Sequence, residues 1–270
     1  MIRFLRGWDG EGGVRLADLA VSLGPEREIG ARAWRSHDTC ELDFDRPATA
    51  PLASIDPGWP VKISDRLRGT PFGIGMDILR LRFPLDTSIK PPLSRDPSGP
   101  SHRTGYFLDP LPELRWCGGN LPAVQPLTCS SELTFVNTFE QIFAAEALGT
   151  SSHSAVSGLA ARLFQGAPVE GWTGYCGYVV GDPERPIGTF FVGLPGDPCL
   201  HFGLAGLVPA ARRTRPGMVA AVAVARHLRG LGATSLQFEI DRRNTGSLAM
   251  ARRRGAKSIY QVLVLGLENS

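Results

Sequence analysis

Residues 207–218 read LVPAARRTRPGM. The apolar run before them, CLHFGLAGLV at 199–208, reads as a strand that Pro209 closes. Arg212, Arg213 and Arg215 then crowd a short turn around Thr214, followed by Pro216, Gly217 and Met218. Pro216 stands where a first-turn proline is tolerated, and a helix is expected from about Gly217 to Leu231. The first N–H groups of a helix have no acceptor within it, and the helix dipole adds positive potential there. A strand that enters a helix through a basic turn therefore offers a cradle for phosphate. The arginine side chains of Arg213 and Arg215 either ion-pair with such phosphates or stay solvated.

Outward from this stretch the pattern is regular. On its N-terminal side, GYCGYVV and IGTFFVGL read as strands separated by the turn GDPERP and followed by PGDP. Further upstream, AVQPLT reads as a short strand. SSELTFVNTFEQIFAAEALG reads as an amphipathic helix capped by Ser130 or Ser131, with Leu133, Val136, Phe139, Ile142 and Phe143 on one stripe and a stop at Gly149. SHSAVSGLAARLFQG is a second helix, ending at Gly166. On the C-terminal side come the strand TSLQFEI, a helix inside EIDRRNTGSLAMARRRGAK (239–257), and the strand IYQVLVLGL. The order from Ala123 is β-α-α-β-β-β-α-β-α-β, which builds an α+β mixed sheet flanked by helices.

This order, over about Leu121 to Leu267, resembles the GNAT superfamily of N-acetyltransferases. The family reads V-x-P-x-x-R-G-x-G-x-G/A at the strand–helix junction. Leu207, Pro209, Arg212 and Gly217 match in register, whereas Arg213 and Arg215 replace two glycines. A second motif, N-x-x-A-x-x-L-Y-x-x-x-G-F, keeps its spacing at Asn244, Ser247, Met250, Ala251, Gly255 and Ala256. The resemblance implies an acyl-CoA co-substrate held by Leu207, Val208, Arg212, Arg213, Thr214, Arg215, Gly217 and Met218. It also implies that a backbone N–H of Leu207 or Val208 faces the thioester carbonyl, and that Asn244 contacts the pantetheine arm or holds the splayed strands. Asn244 equally suits a plain helix cap. Many members carry a tyrosine acid where this chain has Ala251. Water, Cys176, Cys199 or Tyr260 are the candidate replacements. For the base that deprotonates the amine, His201 comes first and Glu239 second. No serine or cysteine stands in a nucleophile setting, so direct attack is expected.

The remaining residues bound the reading. The chain has 270 residues, 43% of them hydrophobic, enough for one large domain or two small ones. A net charge of +3 is too small to point to nucleic acid, and the runs Arg242–Arg243 and Arg252–Arg254 read as solvated faces. Five scattered cysteines with no CxxC pair argue against a disulfide framework and against a metal. There is no apolar segment of membrane-spanning length, and MIRFLRGWDGEGG has no signal core, so a cytoplasmic protein is expected. The expected partner is a small-molecule amine, and the oligomeric state stays open, a dimer being one option.

The first half divides off at the Pro-rich stretch 84–113, giving expected domains at 1–86 and 120–270 with a linker or lid at 87–119. GVRLADLAVSLG fits a strand or a short helix, and TCELDFD a strand. In MDILRLRFPL, Leu79, Leu81 and Phe83 share one face with Arg80 and Arg82 on the other, the pattern of a half-buried strand. This smaller α/β domain is similar to the degenerate acetyltransferase-like domain that precedes the active one in two-domain members acting on nucleotide-linked amino sugars. Loss of the two loop glycines and of the tyrosine also fits a non-catalytic ligand- or protein-binding module.

Overall fold

The computed structural model describes residues 2–9, 15–24, 27–36, 39–45, 59–68, 70, 72, 76, 78–85, 101–114, 116–143, 153–166, 175–193 and 198–266. The chain forms two compact units. The first comprises residues 1–105, 240–245 and 258–270, and the second 106–239 and 246–257. This division differs from the expected boundary at 120–270. The final strand belongs to the first unit, a non-local pairing that no local pattern announces.

In the first unit, β1 (Ile2–Asp9), β2 (Arg15–Gly24), β3 (Arg27–Ser36) and β4 (Thr39–Phe44) run antiparallel in sequence. The stretch GVRLADLAVSLG is thus a strand. Next, β5 (Ile78–Pro84) lies parallel to β4, and the last strand of the chain, here β12 (Lys257–Gly266), pairs antiparallel with β5 from Tyr260–Pro84 to Gly266–Ile78. One face of the sheet carries Leu42, Phe44, Leu79, Leu81 and Phe83 into a core with Ile63 and Leu67 of α1 (Trp59–Arg68).

The opposite face of β5 is not the solvated face that its arginines suggest. Arg80 is 2% exposed and its Nε donates to Glu41 Oε2 at 2.8 Å, while Arg82 Nη2 donates to Asp43 Oδ2 at 2.8 Å. The parallel register sets Glu41 beside Arg80 and Asp43 beside Arg82. A charge can be buried when a partner on the adjoining strand meets it directly.

The stretch expected as a linker contains a strand, β6 (Ser101–Leu108), whereas 87–100 lie outside the described residues. In the second unit, β7 (Val124–Pro126) leads through a 3-10 turn at Leu127–Cys129 into α2 (Glu132–Ile142). Ser131 is the cap, accepting from Thr134 N at 3.1 Å, while Ser130 Oγ donates to Pro183 O at 2.8 Å. The helix buries Phe135, Thr138, Phe139 and Ile142. Leu133, placed on the apolar stripe by its spacing, is 71% exposed in the first turn. The expected stop at Gly149 lies outside the described residues; regular helix ends at Ile142.

Then come α3 (His153–Phe164), β8 (Cys176–Asp182), β9 (Arg185–Gly193), β10 (Cys199–Leu207), α4 (Arg215–Gly230), β11 (Ser235–Asp241) and α5 (Thr245–Arg253). Residues 195–197 of the expected PGDP turn lie outside the described residues. The strands of this unit adjoin in the order β11-β10-β9-β8-β7, antiparallel except for β10 and β11. One face packs Phe135, Phe139, Val156, Ala160 and Leu163 of α2 and α3 against Val179 and Phe191. The other packs Ala220 and Leu228 of α4 against Val180, Phe190, Leu200 and Leu236. Among the described residues no helix is long and apolar enough to cross a membrane.

Candidate functional site: parted strands and an uncapped helix

The pairing of β10 with β11 is brief. Cys199, Leu200 and His201 face Ser235, Leu236 and Gln237 in parallel register, and among the described residues the two strands pair no further. On its other side β10 pairs with β9 as far as Gly203–Phe191 and resumes at Gly206–Thr189. Three steps on β10 thus match two on β9, which makes a bulge of one residue. Leu204, within it, takes φ 42°. A left-handed leucine costs about 1–2 kcal/mol, so packing must hold it. Its side chain joins the margin of the Phe135–Phe139–Phe191 cluster. The backbone at Leu204 and Ala205 therefore lies outside the paired registers of both neighbouring strands.

One of the two expected donors is taken. The N–H of Val208 donates to Ile187 O at 3.0 Å, so it cannot also face a substrate carbonyl. Leu207 opposes Gly188 as the neighbouring, non-hydrogen-bonded pair, so its N–H points away from β9 toward the side where β11 has parted. The Leu207 N–H and the backbone of the bulge before it are the donors that fit a developing oxyanion.

Both candidate bases stand on one face of the sheet. Leu200, Phe202 and Leu236 turn into the core under α4. His201 and its register partner Gln237 point the other way, and Glu239, two residues further on, does likewise. Both side chains are half-buried. Glu239 lies beyond the last β10–β11 pair, where the strands have parted. A third side chain of this face was missed from sequence: Tyr175. A Cβ placed on Gly193 would lie 3.0 Å from Tyr175 Cζ and 3.3 Å from His201 Cβ, so Gly193 is the gap that lets the two side chains approach across β9. A glycine ending an otherwise bulky strand is the signal that marks such a close approach.

At the far end of β10, a 3-10 turn at Pro209–Ala211 leads to Arg212, Arg213 and Thr214. Arg212 does not reach outward. Its Nε donates to Leu207 O at 2.9 Å and its Nη2 to Ile142 O at 2.7 Å, so its guanidinium ties the end of α2 to the end of β10. Arg213, at a glycine position of the motif, takes φ 57°, the conformation glycine would adopt without strain, and its side chain is exposed. Arg215, at the other glycine position, sets its guanidinium 5.9 Å from the Trp116 ring centroid. Thr214 is the N-cap of α4 but its hydroxyl donates back to Ala211 O at 2.8 Å, so it does not cap the helix. The first-turn N–H groups of Arg215 and Gly217 thus meet no acceptor from it. Gly217 is needed for packing: a Cβ there would lie 2.3 Å from Ala211 O. Met218 is 64% exposed beside the same turn.

Asn244 and Tyr260 belong to the first unit, where the Tyr260 ring packs over Gly105 and within 4.8 Å of Arg82 Cζ. Cys176 turns to the α4 side of the sheet, opposite His201. Ala251 is 4% exposed and is the buried residue of α5. In the Arg242–Arg243 pair, Arg243 donates to Asp241 from Nε at 3.0 Å and from Nη2 at 2.9 Å. Burial raises the affinity of the Asp241 carboxyl for a proton. The hydrogen bonds from Arg243 and Ser101 outweigh it and hold the group below its ordinary range. Arg252, Arg253 and Arg254 are exposed. Among the described residues no cluster of three or more His, Cys, Asp or Glu is placed to hold a metal ion.

Neither a protein-family model nor a curated protein matches the sequence. Solved structures do. A conserved protein of unknown function from Staphylococcus epidermidis is similar at a TM-score of 0.53 and 10% identity, over 84% of each chain. A tandem GNAT protein from the clavulanic acid biosynthesis pathway is similar at a TM-score of 0.45 and 14% identity, over 97% of this chain and 86% of that one. A GCN5-related N-acetyltransferase from Kribbella flavida is similar at a TM-score of 0.43 and 15% identity, over 93% and 90%. At such identities the likeness is one of fold. The element order of the second unit, its parallel β10–β11 pair and its strand–turn–helix junction are those of a GNAT-like α+β fold.

Proposed function

We propose that the protein transfers an acetyl or other acyl group from acyl-CoA to the primary amine of a small molecule, by direct attack and without a covalent enzyme intermediate. The observation that supports this reading is the parting of β10 from β11 after His201, with a bulge in its wall and an uncapped helix where β10 ends. An extended pantetheine arm suits a slot between parted strands, since both backbones offer it hydrogen bonds. The donor's pyrophosphate suits the first-turn N–H groups of α4, and Arg213 adds charge beside them. The thioester oxygen gathers charge in the transition state and is met by backbone N–H groups of β10, at Leu207 or in the bulge before it. His201 takes the proton that the attacking nitrogen must lose, with Glu239 as the second candidate. Arg212 is left out of this site, since backbone carbonyls occupy its guanidinium.

A non-catalytic binding module is the competing reading, favoured by arginine at positions 213 and 215 and alanine at 251. Thermal unfolding with acetyl-CoA, with CoA and without ligand separates the two when paired with an assay of thiol release over a panel of amines. A ligand at a hundredfold excess over its Kd stabilises the native state by about 2.7 kcal/mol. A raised midpoint together with amine-dependent thiol release supports acyl transfer. A raised midpoint without release supports the module, and no shift at millimolar acetyl-CoA refutes the cradle.

A further inference from the structure

If acyl transfer occurs here, some group must meet the sulfur that leaves. Position 251 cannot supply one, since alanine carries no proton and its side chain is buried. Cys176 faces the opposite side of the sheet, and Tyr260 packs within the first unit. Cys199 shares the His201 face but lies two residues before it on β10, further from the bulge.

Tyr175 is differently placed. It immediately precedes β8, and its half-buried ring crosses Gly193 toward β10. A Cβ built on Gly203 would lie 3.8 Å from Tyr175 Cε1 and 4.0 Å from its hydroxyl oxygen. Gly203 is the last residue of β10 in register before the bulge at Leu204. The hydroxyl therefore stands beside the backbone that faces the thioester in the proposed reaction, on the same face as His201. Gly193 beneath the ring leaves this path open, since a Cβ there would lie only 3.0 Å from Tyr175 Cζ, whereas one on Gly203 would stand in ordinary contact with the ring.

We propose that Tyr175 is the general acid of the reaction, the group that replaces the one missing at Ala251; this rests on the acyl-transfer reading above. The amine nitrogen bonds to the carbonyl carbon, and the carbonyl electron pair moves onto oxygen at the bulge. His201 removes a proton from that nitrogen. The carbonyl then re-forms as the C–S bond breaks, its electron pair leaves on sulfur, and the Tyr175 hydroxyl proton passes to it. Solvent returns a proton to the Tyr175 oxygen and takes one from His201. The net change is amine plus thioester to amide plus free thiol.

The test compares wild type with Tyr175→Phe, using acetyl-CoA and a panel of putrescine, glucosamine, lysine and glycine methyl ester. The phenylalanine keeps the ring over Gly193, so the unfolding midpoint and its rise with acetyl-CoA are expected to match wild type. With the best amine, kcat is expected to fall by about a hundredfold or more, and the alkaline limb of the pH–rate profile is expected to disappear. A variant with wild-type kcat and an unchanged alkaline limb overturns the role of Tyr175 while leaving acyl transfer standing. A wild-type protein that neither binds acetyl-CoA nor releases thiol overturns the acyl-transfer reading itself.

Discussion

Replacing Arg213 with glycine should stabilise the protein, and the size of the effect follows from one dihedral angle. At φ 57° the arginine occupies the left-handed region, which costs a residue with a Cβ about 1–2 kcal/mol. Glycine removes that cost but loses more chain entropy on folding, by about 0.4–1 kcal/mol. The net expectation is a gain of about 0.5–1 kcal/mol, because the exposed side chain has little packing to lose. Its neighbour provides the control. Arg212 has φ −68° and donates to two backbone carbonyls, so Arg212→Gly gives up two charge-assisted hydrogen bonds, worth at least about 2 kcal/mol together. Two adjacent arginines on one exposed turn should therefore shift stability in opposite directions. Urea denaturation followed by circular dichroism reads this as a higher midpoint for one variant and a lower midpoint for the other, at unchanged slope. The reasoning is refuted if Arg213→Gly lowers the midpoint, or if both variants move it the same way.

Ala251→Tyr should not restore a lost acid. The position is buried, so the larger side chain is expected to cost about 1–3 kcal/mol and leave thiol release no faster, as unfolding and turnover assays would show. Acid should weaken the second unit through His227. Its Nε2 is buried without a hydrogen-bond partner, its ring meets Tyr178 edge-on at 4.6 Å, and burial depresses its pKa below 6.5. The unfolded chain then binds the proton that the folded one resists, so stability falls as pH drops through 6.5. His227→Phe should flatten that slope between pH 7.5 and 5.5, leaving the part due to His102, which burial shifts in the same direction. Glu41→Gln should cost about 3–5 kcal/mol by removing the carboxylate that meets the buried Arg80 guanidinium at 2.8 Å and Arg82 at 3.7 Å, whereas Glu41→Gln with Arg80→Met should recover part of the loss. Urea midpoints of the single and double variants decide this.

Much of the second unit is legible in its sequence because its signals are local. Turn residues separate β8 from β9, and Ser131 caps α2. Gly232 and Gly255, at φ 89° and 76°, close α4 and α5 with the paired hydrogen bonds that a left-handed glycine permits. Local signals also mislead. The spacing of Leu133 places it on the apolar stripe, but it lies in the first turn of α2, outside the contact with the sheet. Alternation along β5 shows which side chains share a face, not that Glu41 and Asp43 wait on the adjoining strand to make the arginine face burial-competent. The loop motif gave Arg212 a phosphate role because type and position are all a motif holds. The carbonyls that occupy its guanidinium come from residues 142 and 207, far apart in the chain. Tyr175 escaped notice for a similar reason. Its ring crosses Gly193 of β9 and ends beside Gly203 of β10, a juxtaposition that appears only when the strands are laid side by side.

The placement of β12 bears on how the chain is made. β5 is synthesised early and its antiparallel partner comes last, so a nascent chain must carry one open edge of the first sheet through the whole synthesis of the second unit. At about 5–20 residues per second this lasts roughly ten to thirty seconds. The second unit's residues 106–239 emerge within that interval and can fold first, so the earlier-made unit is the later one to be completed. Edges left open for seconds invite pairing with other chains.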